Sequence, residues 1–136
     1  MIYLVAYFSI LLPFGLLDAV WLSVMGPRLY RPTLGDILLA NVNIPAAVAF
    51  YLIYPLGILV FATLPALKAG SVAPALLYAA LFGALAYATY DLTNQATLRN
   101  WTLQLTLADM AWGAIASGLA GATSYYVTRS AAGWLG

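Results

Sequence analysis

Residues 3–24 read YLVAYFSILLPFGLLDAVWLSV, and this stretch decides the fold. Asp18 is its one charged side chain. As an α-helix rising 1.5 Å per residue it is long enough for a hydrocarbon core of ~30 Å. Three more stretches have the same character, at 44–65, 73–97 and 103–128. The expected architecture is an all-α membrane protein, a four-transmembrane-helix bundle with short loops. One domain then covers residues 1–136.

Composition supports lipid as the solvent. The chain is 65% hydrophobic and 7% charged, with mean hydropathy +0.94. Soluble domains carry about 25% charged residues. The net charge of +1 excludes a nucleic-acid partner recognised through a basic footprint. With neither Cys nor His, disulfides, thiolate nucleophiles and the usual zinc sites are excluded. Acid–base chemistry would fall to Asp or Tyr. No metal site is expected and no cofactor is indicated. Met1-Ile2-Tyr3-Leu4 has no basic residue before the apolar run, so the first segment reads as a retained helix rather than a cleaved signal.

The loops follow from turn residues and charges. Met25-Gly26-Pro27-Arg28 opens the first, and Leu34 to Ala40 reads as a short interfacial helix. Asn43 suits the cap of the second helix, with Pro45 in its first turn. Lys68, Gly70 and Ser71 mark the second loop, and Arg99 the third. Four crossings put both termini on one side with Lys68 and Arg129. Arg28, Arg31 and Arg99 lie on the other, which the positive-inside rule assigns to the cytoplasm, leaving the termini periplasmic. Pro13 and Pro55 interrupt helical ladders as packing kinks; the alternative is a widened cavity or hinge.

The polar residues are not scattered. Asp18, Asp91 and Asp109 fall inside the expected spans, where charged groups are costly and usually face the bundle interior. The fourth carboxylate, Asp36, falls in a loop. Counting from the helix ends, the three lie roughly 9–10 Å below the same face, the one bearing Arg28, Arg31 and Arg99. Asp18-Ala19-Val20-Trp21 is echoed by Asp109-Met110-Ala111-Trp112, each Asp and Trp sharing a helical face. Tyr87, Asp91 and Asn94 share a face of the third helix. Three nearby carboxylates in a low-dielectric layer require a proton or a cation among them, and Arg99 is the nearest cation in the chain. The candidate ligand-binding residues are Asp18, Trp21, Asn43, Tyr87, Asp91, Asn94, Arg99, Asp109 and Trp112. The three Asp are also the catalytic candidates. Gly113, Ser117 and Gly121, with Ala79 and Gly83, form small-residue stripes that let the third and fourth helices approach.

Leu17-Asp18-Ala19-Val20-Trp21-Leu22, Tyr30-Arg31-Pro32-x-Leu34-Gly35, the run Ala86-Tyr87-Ala88-Thr89-Tyr90-Asp91-Leu92-Thr93-Asn94-x-Ala96-Thr97-Leu98 and Asp109-x-x-Trp112-Gly113 together resemble the bacterial membrane-protein family catalogued as domain-of-unknown-function 2177. The resemblance covers nearly the whole chain, and the run around Asp91 is its most specific part. It implies the fold and a bacterial cytoplasmic (inner) membrane location. It assigns no activity.

Three functions compete. The first is a pocket for a lipid- or isoprenoid-like amphiphile, its polar end on the three Asp, with acid–base modification by a protonated Asp as an extension. The second is an oligomeric proton- or cation-coupled transporter. The third is an accessory subunit of a membrane complex, the Asp residues only joining helices. The corresponding partners are membrane lipids, a small amphiphilic ligand, a second copy of the chain or another membrane protein.

Overall fold

The computed structural model describes residues 1–135 and, among them, contains four helices and no strand. The helical runs are Ile2–Ile37, Ile44–Ala69, Val72–Thr97 and Leu103–Leu135. The first three are long and apolar enough to cross a membrane. The fourth is the longest of the α-helices at 33 residues, and the least apolar of the four. Its position explains this. It lies along both the first and the third helix, so small and polar side chains on it, such as Ser117, Ser124 and Thr128, face protein and not lipid.

The first helix corrects the expected boundary at Val24. The α-helix runs over Ile2–Met25 and continues through a π turn, Gly26–Tyr30, one α turn, Arg31–Leu34, and a 3-10 turn, Gly35–Ile37. Pro27 does not end it. A proline lacks the N–H that the ladder would use, and the π turn takes up the mismatch, with the Arg31 N–H bonding to the Gly26 carbonyl. The expected interfacial helix at 34–40 is therefore the tail of the first helix, followed by an irregular link to Asn43. The second helix likewise carries a π turn, Leu59–Thr63, one turn after Pro55. It ends at Ala69 beyond the expected 65, and the fourth helix runs on past 128.

Local chemistry sets the other ends. The Asn43 side chain accepts from the Ala46 N–H at 3.3 Å and starts the second helix. Gly70 adopts φ 69°, the left-handed conformation that closes it. Ser71 and Thr102 accept from the N–H groups of Ala73 and Leu105, starting the third and fourth helices.

Packing is organised by small residues. A Cβ on Gly83 would stand 2.1 Å from the Gly113 carbonyl oxygen, and one on Gly121 would stand 2.6 Å from the Ala75 carbonyl oxygen. Gly113 itself lies against the Tyr87 ring. These contacts make the third and fourth helices antiparallel with backbones nearly touching. The first helix also runs antiparallel to the fourth. Ser9 bonds Ser124 at 3.0 Å, and Ser124 donates to the Ala6 carbonyl at 2.9 Å. Ala6, Ile10, Phe14 and Asp18 form its buried stripe, while Leu4, Phe8, Leu12 and Leu16 stay exposed. The second helix packs by its latter half, through Tyr54, Ile58, Leu59 and Ala62. Over 44–53 it is mostly exposed. A gap remains beside Phe50 in that half-helix, and the candidate site lies there.

Candidate functional site

All three intramembrane carboxylates are buried. Their partners follow from the antiparallel pairing of the first and fourth helices. Asp18 and Trp21 share one face, as do Asp109 and Trp112, so the two Asp–Trp pairs face each other across the helix contact. Asp18 Oδ1 accepts from Trp112 Nε1 at 3.0 Å. Trp21 Nε1 donates to the Tyr30 hydroxyl at 2.8 Å, and that hydroxyl donates to Asp109 Oδ1. The two indoles stack between the carboxylates, centroids 4.7 Å apart and planes within 3°. A second donor reaches Asp18 from the second helix, where the Tyr51 hydroxyl bonds Oδ2.

Asp91 is different. It is wholly buried, and neither carboxyl oxygen has a hydrogen-bond partner among the described residues. The register that sets Gly83 against Ser117 and Tyr87 against Gly113 brings Asp91 opposite Asp109 one turn further on. Asp109 is its neighbouring carboxyl group. Two ionised carboxylates have only acceptors to offer each other, whereas one proton between them gives both a partner. Infrared spectra should therefore contain a protonated-carboxyl band that is lost in both Asp91→Asn and Asp109→Asn. A spectrum without that band, or with a band unmoved by either change, would show that no proton is shared.

In front of Asp18 and Asp109 lies a cavity of about 550 Å³. This is within the ~300–1,000 Å³ typical of small-molecule sites. Its polar wall is Asp18, Asp109 and the phenols Tyr30, Tyr54, Tyr87 and Tyr90. Its apolar wall is Leu22, Leu34, Leu38, Phe50 and Ala86. The Tyr54 hydroxyl is fixed by Ser117 Oγ at 2.7 Å. Of the lining residues, Leu22, Leu38, Phe50 and Tyr90 stay exposed on the outer surface, so the way in is apolar and aromatic.

The structure thus gathers Asp18, Asp109 and Tyr87 on the wall, with Trp21, Trp112 and Asp91 behind it. Three expected members of the polar layer stand elsewhere. Asn43 is exposed and its side chain serves as a helix cap. Arg99 is exposed in the third loop, because the backbone turns extended at Leu98 and leaves the helix before Arg99 can fold back toward the carboxylates. Asn94 is half-buried and does not line the cavity.

Sequence reasoning missed Tyr30, Tyr51, Tyr54 and Tyr90. A signal existed, since a tyrosine within an apolar span needs a partner for its hydroxyl. Tyr30 was masked further by the reading of residues 25–32 as a loop. Only the π turn directs its hydroxyl at Asp109.

The family described as "Predicted membrane protein (DUF2177)" matches residues 3–126. The chain belongs to this family. The matched region takes in every residue of the carboxylate cluster and of the cavity wall. No curated protein and no solved structure matches the chain. In this DUF2177 member, the cavity and its two carboxyl groups are the features that bear on function.

Proposed function

We propose that this membrane protein binds an amphiphile of the lipid or isoprenoid class. The polar end meets Asp18 and Asp109, and the tail leaves past Leu22, Leu38 and Phe50 toward lipid. The observation that carries the reading is the pairing of two buried carboxylates with an apolar, partly open cavity in one space. A site for a small hydrophilic solute would have polar groups along its way in, and a purely structural carboxylate cluster would have no space in front of it. The arrangement matches the usual ligand site, mostly apolar with a few convergent polar groups.

Native mass spectrometry of protein extracted with its surrounding lipid tests this. An amphiphile should remain bound to the wild type after the bulk lipid is stripped. Ala86→Phe, which fills the cavity from the third helix, should reduce that occupancy by about tenfold, equivalent to ~1.4 kcal/mol. A wild type with no retained amphiphile, or equal retention by the variant, would overturn the proposal.

A further inference from the structure

The cavity wall contains two carboxyl groups and no base. Arg28, Arg31 and Arg99, the basic residues at this end, are all exposed and none lines it. Arg129 is at the opposite end, donating to the Gly70 carbonyl at 3.2 Å. Two donors converge on Asp18, one on each oxygen, which suits an ionised carboxylate accepting at both. Asp109 adds a second carboxyl group to the same wall. Burying such charge without a counter-charge is expensive. The donors around it are indoles and phenols, which are neutral.

Five of the nine other wall residues are aromatic. Tyr30, Phe50, Tyr54, Tyr87 and Tyr90 face one space. The π face of each ring attracts a cation within ~6 Å of its centroid, and several rings around one pocket are the usual way to hold an organic ammonium. A phosphate or carboxylate head would meet two carboxyl groups and no cationic donor. A metal ion fits poorly, since among the described residues no three carboxylates converge as ligands.

We infer that the head of the bound amphiphile is a cationic nitrogen, an ammonium seated among the tyrosine rings with Asp18 and Asp109 as its counter-charge. The inference rests on the amphiphile reading above and narrows it to one head chemistry. Such a head can belong to a simple long-chain amine or to the ammonium end of a zwitterionic phospholipid.

The test compares probes of matched chain length on wild-type protein in nanodiscs, read by the fluorescence of Trp21 and Trp112 beside the cavity. The probes are dodecyltrimethylammonium, dodecanol and dodecyl phosphate. The ammonium should bind at least about tenfold more tightly than the other two. Asp18→Asn should remove most of that advantage, weakening ammonium binding far more than dodecanol binding. Tyr90→Leu alters a more exposed ring and disturbs the packing least, and it should weaken ammonium binding selectively. Lysophosphatidylcholine separates the two sources of the head. Competition equal to that of the simple ammonium supports a zwitterionic lipid, and weaker competition supports an amine. Phosphate or dodecanol binding as tightly as ammonium would overturn the inference while leaving the amphiphile site intact. No binding of any probe would remove both.

Discussion

Replacing Gly83 with alanine is expected to lower stability by about 2–3 kcal/mol, the upper part of the range for overpacked sites. The added methyl group would sit 2.1 Å from the Gly113 carbonyl oxygen and 2.5 Å from Ser117 Oγ. A backbone oxygen inside a helix cannot swing aside as a side-chain tip can, so the third and fourth helices must separate. In lipid there is little hydrophobic drive to hold them together, and their association depends on close packing. Gly15→Ala is the control. Nothing lies within 4 Å of the Cβ added there, so only the gain in helix propensity of up to ~1 kcal/mol remains. Gly57→Ala should fall between the two, because the obstructing atoms belong to the Phe82 ring, which can rotate. Unfolding by dodecyl sulfate titration in mixed micelles gives the ranking. Gly83→Ala as stable as Gly15→Ala would refute the close helix contact.

Trp112→Ala is the second large effect, at about 3–5 kcal/mol, the range for large aromatic truncations in cores. Trp112 joins three features of the site: the stack on Trp21, the hydrogen bond to Asp18 and the packing against the core around Phe14 and Ala116. Trp112→Phe retains a six-membered ring for stacking and removes the N–H together with the pyrrole half of the indole. It should cost about 1.5–3 kcal/mol, the usual worth of a hydrogen bond to a charged group. Combining Trp112→Phe with Asp18→Asn distinguishes the N–H bond from packing. The pair should cost less than the two losses added, with a coupling of at least ~0.5 kcal/mol. Strict additivity would show that the indole N–H and the carboxylate do not interact.

Much of the site was legible because charge is conspicuous in an apolar chain. Asp18, Asp91 and Asp109 stood out by their cost alone, and their common depth followed from counting residues along helices. The i, i+3 spacing of Asp18 with Trp21 and Asp109 with Trp112 showed that each pair shares a face. The bonding between them, from Trp112 directly to Asp18 and from Trp21 through the Tyr30 hydroxyl to Asp109, required knowing that those two helices are neighbours. Loop chemistry was misleading at Gly26-Pro27, where the usual helix-ending signals are absorbed by a π turn. Through that turn Tyr30 enters the site. Arg99 was misplaced for a related reason: its distance in sequence from Asp91 is small, but the backbone turns away at Leu98.

Hydropathy and length by themselves determined that this chain is a bundle of membrane-crossing helices, and they located all four helices to within a few residues at most ends. They could not determine which face of each helix looks inward. In water an apolar stripe marks the buried face. In a bilayer the outside is as apolar as the inside, so Leu4, Phe8 and Leu12, which face lipid, read no differently from Ile10 and Phe14, which face the core. Small residues and lone polar ones are the remaining guides, and they identify contacts without saying with which helix. That choice is made by tertiary packing. Gly83, Gly113 and Gly121 draw the third and fourth helices together. The first helix lies along the other side of the fourth. The first half of the second helix is mostly exposed but holds to the first helix through Tyr51 and Asp18, and with the other helices it walls the cavity in front of Asp18 and Asp109.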